Sequence, residues 1–149
     1  MLIYFAAPLF SAAEIRFNQH LTARLEAAGF DVFLPQRDGL EMTRLAEGDM
    51  TADERRAAIF ALDTERVLAC DIFLLVLDGR IPDEGACVEL GIAYCQKRFH
   101  QPTKHLIGLQ TDARAWMADS KLNPMLHGPL DELLDDEDAL LDRLRRFAP

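Results

Sequence analysis

The sequence predicts a three-layer α/β domain, with a parallel sheet of four or five strands between layers of helix. Three observations predict it. Short apolar runs of strand length alternate with longer amphipathic stretches, the rhythm of βαβ units. The run "DIFLLVLDG" at 71–79 is apolar almost throughout, as expected of a strand covered on both faces. The chain has 149 residues, half of them hydrophobic, which suits one compact domain with a full core. No repeat, low-complexity stretch or linker divides residues 1–149, so a single domain is expected.

Taken in order, "LIYFAA" (2–7) reads as the first strand, bounded by Pro8. The apolar opening "MLIYFAAPLF" has no positive leading region and is too short to span a bilayer. "SAAEIRFNQHLTARLEAAG" (11–29) reads as a helix. Ser11 is its cap, Glu14 three residues on completes a capping box, and Gly29 ends it. "DVFLP" (31–35) is a short buried strand. Residues 36–50 have weak periodicity and two glycines, Gly39 and Gly48, and read as loop. A second helix spans Thr51 to Cys70, starting at a Thr or Asp cap. The central strand at 71–79 follows, then a third helix over about 84–98, then the strand "KHLIGLQ" (104–110). Residues 113–130 are mixed, and a last helix covers about 136–147. The acidic tract "LDELLDDEDALLD" (130–142) holds no clear fifth strand. This order describes a small Rossmann-like or flavodoxin-like domain, in which ligands bind beyond the carboxyl ends of the strands. Those ends are Ala6–Pro8, Pro35–Arg37, Asp78–Asp83 and Gln110–Asp112.

Charge and composition exclude several function classes. Twenty-five acidic residues against 16 basic ones give a net charge of -9. A nucleic-acid binder normally carries a basic face, and anionic membrane repels such a chain, so neither partner is expected. The three cysteines, Cys70, Cys87 and Cys95, are dispersed and form no CxxC pair. They suggest neither a disulfide framework nor a zinc site, and fit a reduced, cytoplasmic setting. His20, His100, His105 and His127 lack metal-ligand spacing. With no GxGxxG or P-loop, neither a dinucleotide nor an NTP site is expected.

Three carboxylates carry the chemical signal. Asp83 follows Pro82 and precedes Gly85 at the start of the third helix. It reads as an N-cap, as a hydrogen-bond acceptor at a strand's carboxyl end, or as both. Glu89 stands among Cys87, Val88, Leu90 and Ile92. It is either a charge on a narrow exposed edge or a carboxylate held in the first turns of a buried helix. In the second case the helix dipole favours its ionised form, which suits a nucleophile. Asp63 falls at helical spacing between Phe60 and Val67. It is either solvated beside Arg66, or a carboxyl group in low dielectric whose raised pKa lets it donate a proton near neutral pH. Two unequal carboxylates around one site are the pattern of glycosidic-bond chemistry, one attacking the anomeric carbon and the other protonating the leaving group. Other residues have plainer readings. Asp78 is a turn residue, and Arg55, Arg56 and Arg66 are solvated. Trp116 and the nine Phe are core or interface. Cys87 has no paired His to make it a nucleophile.

Three stretches together resemble the nucleoside 2-deoxyribosyltransferase family: "IYFAAPLF" (3–10), "LDGRIPDEGACVELGIAY" (77–94) and "NPML" (123–126). Their order and spacing agree along almost the whole chain. The resemblance implies that Glu89 is the nucleophile forming a covalent 2-deoxyribosyl intermediate. It implies that Asp63 exchanges a proton with the nucleobase, that Asp83 holds the sugar's 5′-hydroxyl, and that Tyr4 positions the nucleophile. Pro8 and Gly85, within the matching stretches, join the substrate-binding positions. Asn123 matches an asparagine that reaches into a neighbouring subunit's site, which implies a homo-oligomer, a dimer or hexamer, with shared sites. Substrates would be 2′-deoxynucleosides and free nucleobases, exchanged with retention in a ping-pong reaction that needs neither cofactor nor metal, in a salvage role. A related branch hydrolyses 2′-deoxynucleoside 5′-monophosphates and tends to carry Ser where Asp83 stands. Asp83 would repel a 5′-phosphate but accept from a 5′-hydroxyl. A nucleotide-sensing domain without catalysis is a third reading, and the retained Tyr4, Asp63, Asp83 and Glu89 speak against it. The chain departs from the pattern at Pro124, where an apolar residue is usual, and Pro restricts Asn123 toward extended backbone. Residues 36–50, which would border the base, match nothing in the pattern.

Overall fold

The computed structural model describes residues 1–40, 50–79, 81–113 and 122–147. The elements are β1 (Leu2–Ala6), α1 (Ala12–Ala27), β2 (Asp31–Phe33), α2 (Pro35–Asp38), α3 (Ala52–Ala69), β3 (Ile72–Val76), α4 (Glu84–Phe99), β4 (His105–Leu109), α5 (Pro124–His127), β5 (Glu132–Leu134) and α6 (Glu137–Leu144). Among the described residues the sheet has five strands, all parallel, in the order β2-β1-β3-β4-β5. Strand order reverses between β1 and β3, so the two connections leaving β1 and β3 diverge and open a crevice at their carboxyl ends.

Alternation along the strands sorts side chains between two cores. Ile3, Phe5, Ile72, Leu74 and Val76 pack with Leu21 and Leu25 of α1 and Leu140 and Leu144 of α6. Tyr4, Ala6, Phe73 and Leu75 pack on the other face with Val67 of α3 and Ala86, Leu90 and Ala93 of α4. Tyr4 therefore points at the layer that carries Asp63 and Glu89.

The helix starts follow the sequence signals. Ser11 and Glu14 form a capping box on α1, and Thr51 and Glu54 form a second on α3. Asp83 caps α4, its carboxylate accepting the Ala86 N–H at 2.9 Å. None of the described helices is long and apolar enough to cross a membrane.

The structure corrects several expectations. A fifth strand exists inside the acidic tract: Glu132–Leu134 pairs with β4 in register Gly108↔Leu133. Three half-buried residues at a sheet edge carry too little periodicity to be read as a strand. Pro35 does not end β2 but opens α2, a four-residue turn in a segment read as loop. Proline's fixed φ suits the first helical position, and Asp38 accepts the Leu34 N–H at 2.9 Å. α5 lies within the stretch read as mixed, with Asn123 as its N-cap. The last helix is shorter than predicted, ending at Leu144. The remaining part of the 36–50 loop, from 41 to 49, and Trp116 lie outside the described residues.

Lys104, expected in the fourth strand, instead precedes it and is fully buried. Its amino group donates to the carbonyls of Val67 at 2.9 Å and Leu68 at 3.3 Å and to that of Cys70, closing the C-terminal end of α3. Lys104→Met removes the donor from all three carbonyls. It is expected to lower the unfolding free energy by about 2 kcal/mol in a urea titration, whereas an unchanged midpoint would show that these bonds add nothing net.

Candidate active site

The centre of the site is built on a row of aromatic rings. Phe33, Tyr4 and Phe73 are direct neighbours across β2, β1 and β3. The Tyr4 ring stacks on both, at 5.6 Å between centroids on each side. Offset stacking of this kind fixes ring planes beyond what burial alone does. Tyr4 is fully buried, yet its hydroxyl has a partner: it donates to Glu89 Oε1 at 2.8 Å. Glu89 sits in the second turn of α4, held against the sheet by Ala86, Leu90 and Ala93, which are buried on that helix.

Glu89 and Asp63 face one groove between α3 and α4, of about 370 Å³. Its walls are Ile59 and Phe60 on α3 and Val88 and Ile92 on α4. Gly85 also lines it, and a Cβ there would stand 3.2 Å from Asp83 Oδ1, so the glycine leaves that carboxylate room. Arg56 and Thr64 complete the lining. The outer rim is open, with Phe60 64% and Val88 61% exposed.

Electrostatics are set by burial. The Glu89 carboxyl is half-buried, and burial pushes its pKa up to about 7. The Tyr4 hydrogen bond opposes that rise, while the negative charges of Asp63 and Asp83 add to it. The expectation is a carboxylate favoured in its ionised form near the helix N-terminus; burial instead shifts Glu89 toward the protonated form. Asp63 is half-buried, and its Oδ1 has no hydrogen-bond partner among the described residues. Burial raises its pKa too, as expected for a carboxyl group in low dielectric. Burial and the neighbouring carboxylates push the Tyr4 phenol far above its ordinary range, so it stays a donor at every accessible pH. The groove thus holds two carboxyl groups whose pKa burial raises, and the Glu89 carboxyl has a phenolic donor.

The other predicted residues fall around this centre. Asp83 is close enough to raise the Glu89 pKa and serves as the α4 cap, as its first reading expected. Pro8 does not line the groove; its carbonyl accepts from Asn18 Nδ2 at 2.9 Å. Asn123 is exposed, does not line the groove, and its side-chain oxygen accepts the Met125 N–H at 2.9 Å. Arg56 is exposed as expected, paired with Asp53. Arg55 and Arg66 are only partly solvated: both are half-buried with interior Nε atoms, and the Arg66 guanidinium lies 5.6 Å from the Phe33 ring centroid. Two features escaped the sequence. The wall residues Ile59 and Val88 stand one turn from Asp63 and Ile92 respectively, a spacing that was available to read. Asn18, 1% exposed, bonds Pro8 and the Gln36 side chain at once and so ties the ends of β1 and β2 together. A buried Asn inside an amphipathic helix gives no such signal by itself.

The family model for nucleoside 2-deoxyribosyltransferases matches residues 3–127. No functionally curated protein gives a significant sequence match. Among solved structures the chain is similar to a conserved protein from Enterococcus faecalis V583, at 27% identity, with 99% of each chain covered and a TM-score of 0.81. It shares its fold with the 2-deoxyribosyltransferase of Bacillus psychrosaccharolyticus (21% identity, 95% of this chain and 91% of that one, TM-score 0.76). The CMP N-glycosidase of Clostridium botulinum is a more distant fold relative, at 19% identity over 97% and 98% of the two chains, with a TM-score of 0.55.

Burial of Glu89 has a consequence for stability that needs no substrate. Its folded pKa of about 7 lies above the ordinary value of 4.5, so the folded state holds the proton more tightly. Stability then falls as pH rises between those values, and the cost is fully present above pH 7. Glu89→Gln keeps an acceptor for Tyr4 without the charge. It is expected to unfold about 2 kcal/mol harder than wild type at pH 8 and no differently at pH 4, measured by urea titration. An equal gap at both pH values would contradict this electrostatic account.

Proposed function

This chain belongs to the nucleoside 2-deoxyribosyltransferase family, a family of glycosyl-transferring enzymes, and from that premise we propose that it exchanges nucleobases on 2′-deoxynucleosides through a covalent intermediate on Glu89. The observation that carries the reading is the Tyr4–Glu89 hydrogen bond at 2.8 Å, in a groove shared with a second carboxyl group whose pKa is raised.

In the first half-reaction the ionised Glu89 carboxylate attacks C1′. A C1′–O bond forms, the C1′–N bond breaks with its electron pair going to the base, and Asp63 delivers a proton to that base. A second base then attacks C1′, displaces Glu89 and returns its proton to Asp63. Two inversions give net retention. Tyr4 donates to the carboxylate oxygen, keeps it aimed, and lowers the cost of ionising it in an otherwise apolar setting. Asp83 accepts from the 5′-hydroxyl. The chemistry is carried by the chain's own carboxyl groups, without cofactor or metal.

Water attacking the intermediate would make the enzyme a hydrolase, and the open rim at Phe60 and Val88 gives that reading a physical basis. A second copy of the chain covering the rim, and lending Asn123 to the neighbouring site, excludes water; the exposed Asn123 supports this shared arrangement in a dimer or hexamer. The Clostridium botulinum relative acts on CMP, a nucleotide. In this chain Asp83 favours a free 5′-hydroxyl over a phosphate. Exchange of this kind serves nucleoside salvage in the cytoplasm.

The test is chromatographic. Deoxyinosine incubated with adenine is expected to give deoxyadenosine in excess of free deoxyribose; deoxyribose released equally with and without adenine would identify a hydrolase. Glu89→Ala is expected to abolish turnover while nucleoside binding survives, and full activity in that variant would rule out the mechanism. The pH profile gives a second check. Attack requires ionised Glu89, so kcat/KM rises with pH toward a limb near pH 7. Tyr4→Phe removes the bond that lowers this pKa, so its limb moves to higher pH. A limb that stays in place would mean that Tyr4 does not tune the nucleophile.

A further inference from the structure

We propose that Asp78 is a positioning residue for recognition of the 5′-hydroxyl: by clamping the loop that leads into α4, it sets where Asp83 stands. The inference rests on the deoxynucleoside reading above. A turn residue satisfies its own turn, bonding backbone one to three residues away. Asp78 instead bonds to residues 33 and 34 positions away. Its Oδ1 accepts the Thr111 N–H at 2.6 Å and the Asp112 N–H at 2.9 Å, and its Oδ2 accepts the Thr111 hydroxyl at 2.6 Å. A backbone bond between the two chain segments runs from Leu77 N–H to Leu109 O, at 2.8 Å. Beyond that point the Asp78 side chain takes over and carries the connection one residue further.

The rest of the loop explains why this matters. Gly79 has φ +114°, a conformation that favours glycine, so the chain turns away directly after the clamp. Ile81, midway along, is 82% exposed and contributes no burial to hold the loop. At the far end Asp83 is tied to the Ala86 N–H. Each end of this loop is therefore tied by one carboxylate. If the first is released, the loosened loop pulls on the second: α4 stays packed on the sheet, but the Asp83 carboxylate is drawn off the Ala86 N–H and loses its bearing. The substrate's 5′-hydroxyl, which depends on Asp83, then loses its acceptor geometry.

The experiment compares two donors, 2′-deoxyadenosine and 2′,5′-dideoxyadenosine, with hypoxanthine as acceptor. The second donor lacks the hydroxyl that Asp83 accepts. Asp78→Ala is expected to lower kcat/KM about tenfold for 2′-deoxyadenosine and to leave the 5′-deoxy analogue within about twofold. Asp78→Asn is expected to stay near wild type, because its amide oxygen accepts both N–H groups and its NH2 can donate to the Thr111 hydroxyl. Equal losses on both donors, or no loss on either, would overturn the proposal. Should Asp78→Ala fail to fold, Thr111→Val removes only the hydroxyl bond, and the same preferential loss is required of it. If the wild type turns over neither donor, the deoxynucleoside reading falls. The clamp is then judged by hydrogen exchange: the Ala86 amide must exchange faster in Asp78→Ala, and unchanged exchange would overturn it.

Discussion

The hydrogen bond from Tyr4 to Glu89 is the constraint around which the rest of the molecule is arranged. It joins the first strand to a helix 85 residues later, across the interior of one layer. A phenol at the centre of a sheet has no water to satisfy it, so its hydroxyl must find an acceptor. A carboxylate in an apolar layer has the converse need. Each group offsets part of the other's penalty, and the stacked neighbours Phe33 and Phe73 leave the tyrosine no freedom to turn away. The sheet order places this pair at the point where strand order reverses, beside the crevice that parallel α/β sheets open to ligands.

The same arrangement gives the two carboxyl groups of one groove different surroundings. Both are pushed toward the protonated form by burial. Among the described residues only Glu89 has a hydrogen-bond donor aimed at it, which favours its anion on one side of the groove. Asp63, without such a donor, is suited to hold a proton. Apolar walls on both helices keep the dielectric low and strengthen each of these effects. A carboxyl group that is only partly ionised near neutrality is the cost of removing it from water, and the tyrosine recovers part of that cost.

Much of this was legible in the sequence, and the reasons are particular. The order of long elements followed from their periodicity, because β3 and β4 are buried on both faces and the helices carry cap residues where they begin. Asp83 read correctly as a cap from Pro82, Gly85 and the helix that follows. Asp63 and Glu89 stood out because each interrupts an apolar stretch. Short elements failed: three residues of β5 and four of α2 carry too few positions for a period to show. The charge state of Glu89 also escaped, since it depends on a tyrosine distant in sequence and on how deeply the helix packs. The role of Asn123 lies further out of reach. One chain brings together Tyr4, Glu89 and Asp63 but leaves Asn123 exposed at the cap of a short helix.

The central claim is that the sugar is carried on Glu89, and trapping that species tests it most directly. A 2′-deoxynucleoside bearing fluorine at C2′ slows breakdown of a glycosyl ester, because the electronegative substituent disfavours the oxocarbenium-like transition state. Intact-mass spectrometry after incubation should show one fluorosugar added per chain, and peptide mapping should locate it on Glu89. Adduct formation should disappear in Glu89→Gln, and adenine should discharge the adduct from the wild type. A label on any other residue, or base release with no adduct at any time, would contradict the account.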